Sequence, residues 1–182
     1  MSDQRPIGVF DSGVGGLTVL AEIRDRLPYE HTIYFGDTAR VPYGVRDLAE
    51  VRWFTFEIIN YLIGMNVKLI VIACNTATAS ALRATQRSFE VPIIGVIEPG
   101  ARAAVEETRK RRVGVLATPL TAASGAYRRA VHSLDAGVEV HEQACPEFVP
   151  MIECGVVDGP ESKRSRGPIS SPSWSAPSTR SC

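Results

Sequence analysis

Cysteine, asparagine and threonine stand together at residues 74–76, inside ACNTATA and directly behind the apolar run VKLIVI. A thiol in such company can act as nucleophile, redox centre or proton-transfer base. Just before a helix start, the thiol of Cys74 is expected to ionise more readily than a free one. Hydrolase chemistry would want a histidine partner, and His31, His132 and His141 hold no strand-tip position that supplies one. The plainer role for Cys74 is a small apolar filler, with Asn75 or Thr76 capping the helix. Short polar residues recur in the same way elsewhere. Asp11 and Ser12 open DSGVGG, Asp37 follows YFG with RVPYG close behind, and Thr118 and Thr121 follow VGVLA. Glu98 and Cys145 end two further apolar runs.

These residues need strands to carry them. Strand-like runs fall at 7–11, 32–37, 67–74, 91–99, 112–118 and 138–145. Helical spacing falls between them, at 17–27, 46–64, 77–89, about 100–110 and near 120–133, and PEFVPMIECG begins another helix. Continuous apolar strands alternating with amphipathic helices predict an α/β fold of βα units on mostly parallel sheet. In such sheets ligands sit beyond the carboxyl ends of the strands, where the polar residues above collect. Free N–H groups at the DSGVGG turn suit an anion such as a carboxylate. The turn is not GxGxxG, so a dinucleotide is not indicated.

Turn chemistry at EPG predicts a first α/β domain over 1–98 and a second, partial one over 99–161. From 162 to 182 the chain turns to serine, proline and arginine with a single aliphatic, Ile169, and is expected to be disordered or out of frame. Formal net charge is zero, which gives no footprint for nucleic acid or an anionic membrane. The most apolar stretch is broken by Asn60, Gly64, Asn66 and Lys68, so no membrane span is expected. The four cysteines form no CxxC pair and the three histidines fit no zinc spacing, so no metal site is expected. Free thiols in a reducing cytoplasm are the expectation, with no secretory signal.

Four motifs in order, IGVFDSGVGGLTVL, YFGDTARVPYG, VIACNTATA and VPIIGVIEPGA, resemble those of the cofactor-independent glutamate racemases. The similarity continues through VGVLAT and ACPEFVPMIECG to about Glu161. The resemblance implies two similar α/β domains facing each other across an active site. It implies that two cysteines, one per domain, flank the α-carbon of glutamate. One removes the α-proton and the other protonates the opposite face, without pyridoxal phosphate or metal. Carried onto this sequence, Cys74 matches the first catalytic cysteine. Asp11 and Ser12 match the pair that contacts substrate and orients the site, with Asp11 also counted as catalytic; Pro42, Tyr43 and Gly44, then Asn75 and Thr76, and Thr118 and Thr121 from the second domain, match residues that contact substrate. Asp37 and Glu153 match carboxylates that assist proton transfer. The family's second cysteine lies in a GCTHYP-type motif, which this sequence lacks. Cys145 stands where the family often has a non-catalytic cysteine, and neither Cys154 nor Cys182 reads as a second base. The expectation is therefore a glutamate racemase sequence, truncated or frameshifted after about residue 161, that supplies D-glutamate for peptidoglycan if it is active. A homodimer is carried as a further expectation. The competing expectations are a racemase of aspartate or a hydantoin, and a non-catalytic fragment or binding protein.

Overall fold

The computed structural model describes residues 3–153. Strands β1 (Ile7–Asp11), β2 (Thr32–Gly36), β3 (Leu69–Ile72) and β4 (Ile93–Gly95) form one parallel sheet in the order β2-β1-β3-β4. The central strand β1 is buried along its whole length, which is why IGVFD reads as an unbroken apolar run before its terminal aspartate. One face of the sheet takes α2 (Leu48–Gly64), which buries Val51, Phe54, Ile58, Ile59 and Leu62 against Phe10, Ile70 and Ile72. Val19, Leu20 and Ile23 of α1 (Leu17–Arg26) cover Ile7, Val9 and Val71 on the other face. Burial of apolar surface on both faces stabilises this sheet and fixes its strand register, since a one-residue slip would turn every side chain to the opposite face.

The chain then passes through α3 (Asn75–Ser88) and α4 (Ile97–Glu107) to a second parallel pair, β5 (Arg112–Ala117) and β6 (Glu139–Ala144). Between these strands lie α5 (Pro119–Ser124) and α6 (Ala126–Leu134). Ala101 of α4, Val131 of α6, Val138 and Val140 form the core of this part, with Val113 and Val115 packed on it. Exposure alternates along β5, because among the described residues helices cover one face of this pair. The α/β class with parallel strands is as the sequence indicates. No helix among the described residues is long and apolar enough to cross a membrane.

Three expectations need correction. The run 91–99 is not one strand: β4 stops at Gly95, and Ile97 and Glu98 begin α4. Ile97 is apolar because it is buried in the first turn of that helix. Glu98 is therefore no strand tip; its exposed carboxylate pairs with Arg102 at 3.4 Å along the helix. The helix near 120–133 is two helices, broken where Gly125 adopts φ 61°, a left-handed conformation that glycine takes without penalty. Residues 162–182, Cys154 and Cys182 lie outside the described residues. Glu153 is the last residue of α7 (Phe148–Glu153), and its side chain is also outside them.

Candidate active site

The tip of β1 folds back on itself. Asp11 is 7% exposed, and its Oδ2 accepts hydrogen bonds from the backbone N–H groups of Gly13 (3.1 Å) and Gly16 (3.0 Å). The anion seated at this turn is thus the protein's own carboxylate, and the helix opens just beyond it at Leu17. Gly16 is required here, since a Cβ would lie 2.6 Å from that of Asp11.

Beside it, β3 delivers Cys74 as the N-cap of α3. The thiol accepts from the N–H of Ala77 at 3.4 Å and donates to Ser12 Oγ at 3.5 Å. The expectation of an easily ionised thiol is not met. Burial at 5% exposure pushes the Cys74 thiol up, the charge of Asp11 adds to this, and the hydrogen bonds with Ser12 and Ala77 oppose it without reversing it. At neutral pH Cys74 rests as a protonated thiol.

The second strand places Asp37, which is 5% exposed and tied to the first tip through its backbone N–H to Asp11 O (2.9 Å). Its carboxylate accepts a hydrogen bond from Tyr43 Oη and pairs with Arg40 Nε at 2.7 Å. Burial and then the Asp37 hydrogen bond push the Tyr43 phenol far up, so it stays a donor. Tyr43 shares a buried cluster with Cys74, so Asp37 meets that neighbourhood through the phenol. Pro42 precedes a short 3-10 helix, Tyr43–Val45, on which α5 packs. Gly44 marks the close approach: a Cβ there would lie 2.4 Å from the Cβ of Thr118.

A triangle of hydroxyls joins the two halves. Thr76 Oγ1 lies 3.0 Å from Thr118 Oγ1, Thr118 donates to Thr121 Oγ1 at 2.9 Å, and Thr121 donates to Thr76 Oγ1 at 3.2 Å. Thr118 also caps α5 by accepting from the N–H of Thr121 at 3.4 Å. One step along α3, Asn75 Oδ1 accepts from Tyr127 Oη at 2.7 Å. Asn75, Thr118, Thr121 and Tyr127 line a cleft of about 220 Å³, with Cys145 also on its wall.

The structure thus gathers the candidate residues into linked groups. Asp11, Ser12 and Cys74 meet at the tips of β1 and β3; Asp37 is bonded to Tyr43, which with Gly44 belongs to the turn after Pro42 that packs on α5; Asn75, Thr118 and Thr121 line the cleft, with Thr76 bonded to Thr118 and Thr121 behind them. Consecutive residues 74–76 connect the first group to the third. The side chain of Glu153 lies outside the described residues. Sequence reasoning missed Tyr127, which sits on a helix rather than a strand tip.

Residues 15–167 match the Asp/Glu/Hydantoin racemase family. A glutamate racemase from Oceanobacillus iheyensis is 52% identical over 159 residues, covering 87% of this chain and 58% of that protein. One from Exiguobacterium sibiricum is 51% identical over 160 residues, covering 88% and 59%. Among solved structures, a glutamate racemase isoform from Bacillus anthracis matches with TM-score 0.86 and 44% identity, over 90% of this chain and 62% of that one. The Francisella tularensis glutamate racemase in complex with D-glutamate matches with TM-score 0.83 and 41% identity, over 90% and 61%. The chain spans 58–59% of the length of these two curated relatives. Parallel βα units agree with that similarity, and the chain belongs to the Asp/Glu/Hydantoin racemase family.

Proposed function

We propose that this chain binds glutamate and exchanges its α-proton through Cys74. The observation that carries the reading is the setting of the thiol, buried at a strand tip between Ser12 and the first N–H groups of α3, one residue from the cleft. Glutamate as the ligand rests on the relatives, which are glutamate racemases, one of them in complex with D-glutamate.

An α-C–H is a very weak acid, so the site must stabilise the charge that spreads onto the carboxylate when the proton leaves. The carboxamide of Asn75 is a neutral donor at the cleft, and the hydroxyls of Thr118 and Thr121 beside it become donors to a ligand by turning out of the triangle. They can hold that carboxylate without the delay of solvent reorganisation. The resting thiol first gives its proton to solvent water; as thiolate, Cys74 takes the α-proton and becomes the neutral thiol that burial favours, the thiol exchanges that proton with solvent, and the return step delivers the solvent-derived proton to the same face of the α-carbon. The N–H of Ala77 and the Ser12 hydroxyl steady the thiolate while it exists. Asp11 opposes the thiolate and so biases the pair toward the protonated resting state.

Racemisation needs a second acid on the opposite face. Cys145 lines the cleft, but its thiol points to Gln143 O at 3.8 Å and burial pushes it up. The reading is therefore proton exchange on one face by these 182 residues, as part of the glutamate racemisation that supplies D-glutamate for peptidoglycan in the cytoplasm. Replacing Cys74 with serine tests the assignment: α-proton exchange followed by NMR in deuterated water falls by about 10²-fold or more, and unchanged exchange would remove Cys74 from this role.

A further inference from the structure

We infer that Tyr127 is a positioning residue that holds the carboxamide of Asn75 with its donor side toward the cleft, so that the cleft is set to receive a carboxylate. This rests on the reading of the site given above.

Asn75 is the first residue of α3, and its side chain is exposed to the cleft. A carboxamide offers an acceptor oxygen and two N–H donors, and rotation about its terminal bond exchanges them. The Tyr127 hydroxyl donates to Oδ1 at 2.7 Å, which occupies the oxygen and leaves the Nδ2 hydrogens for a ligand. Tyr127 can do this because its own place is fixed. Its ring packs on the cluster of Ala101, Val131, Val138 and Val140 and lies over Gly100, where an added Cβ would come within 3.3 Å of the hydroxyl. Burial also keeps the phenol protonated and hence a donor. The contact runs from α6 to α3, so the second half of the chain sets the orientation of a group carried by the first. An amide whose oxygen is engaged presents its N–H donors, which suit an anionic oxygen pair better than an ammonium group.

The test is Tyr127→Phe in the full chain, which keeps the ring and removes the hydroxyl. Three readouts are taken: the Asn75 side-chain amide pair in a ¹⁵N–¹H spectrum, the Kd for D-glutamate by NMR titration, and the same titration in an Asn75→Ala background. Tyr127→Phe shifts the Asn75 amide pair and speeds its hydrogen exchange, while resonances distant from the site stay in place. It raises the Kd about 3- to 10-fold with Asn75 present, and leaves it unchanged in the Asn75→Ala background. An unmoved amide pair, or a Kd effect that persists in full without Asn75, overturns the inference. If the unaltered chain binds no glutamate, the functional reading fails, and the amide pair alone decides the role of Tyr127. Gly100→Ala provides a second route should Tyr127→Phe not fold, because its Cβ displaces the hydroxyl instead of deleting it; it is expected to shift the same amide pair.

Discussion

Cys74 sits under opposing influences. The dipole and N–H groups at the start of α3 favour its thiolate, as does Ser12, while burial and the nearby charge of Asp11 favour the thiol and prevail. Removing the charge should shift that balance. Asp11→Asn keeps an oxygen to accept from Gly13 and Gly16 but no longer repels the thiolate. The account predicts that the pH profile for alkylation of Cys74 moves to lower pH in Asp11→Asn, with faster alkylation at any pH below the plateau. A profile that stays put, or moves upward, would show that Asp11 does not act on the thiol through its charge. At this scale the sequence was informative where chemistry lies at strand tips: Asp11, Ser12, Cys74, Thr118 and Thr121 all follow apolar runs. It misled on the ionisation of Cys74, because helix position is visible in sequence and the depth of burial is not. Tyr127 was illegible for a related reason. Its partner Asn75 is 52 residues away, and no periodicity joins a helix surface to the start of another helix.

Among the elements, α5 carries the most functional weight for its length. Its N-cap Thr118 enters the hydroxyl triangle and seats against Gly44, while its Leu120 packs on the core of the first sheet. Gly44→Ala would set a Cβ 2.4 Å from that of Thr118, a contact that must force α5 or the Tyr43–Val45 turn to move. Overpacking of this kind costs about 1–3 kcal/mol. The expected outcome is a Tm lower by about 2–12 °C, together with weaker glutamate binding as Thr118 shifts. An unchanged Tm would show that the two elements have room to separate. Most strand and helix positions were readable from the alternation of apolar runs and amphipathic stretches. The exception at 91–99 has a simple cause: an apolar run serves equally as strand and as the buried first turn of a helix, and periodicity over so few residues does not separate them. The break at Gly125 was hidden because glycine inside a helical pattern marks an interruption only when the backbone there adopts positive φ.

For the whole molecule, two parallel sheets meet through α3, α5 and the Tyr43–Val45 turn, with buried titratable groups near the junction. Both Cys74 and Tyr43 hold their protons more tightly in the folded chain than in the unfolded one. Unfolded cysteine and tyrosine titrate near about 8.5 and about 10. Their contribution to stability is therefore complete below about pH 8.5 and is lost as pH rises beyond those unfolded values. The urea midpoint is expected to fall between pH 8 and pH 10.5, and a midpoint that is flat or higher at pH 10.5 would contradict this. The α/β class was evident from the sequence as a whole, since six apolar runs alternating with helices admit few other folds. The way the second half closes over the first was not, because it depends on contacts between residues such as Gly44 and Thr118 that share no local pattern.

The central claim is that Cys74 works on one face of the α-carbon of glutamate. The most direct measurement incubates the 182-residue protein separately with D- and L-glutamate in deuterated water, following the α-proton by NMR and chirality in parallel. The account predicts that one enantiomer loses its α-proton signal while keeping its configuration, and that this loss disappears in Cys74→Ser. Absence of exchange in a folded sample would contradict the claim, and full racemisation of both enantiomers would contradict the assignment of a single working thiol.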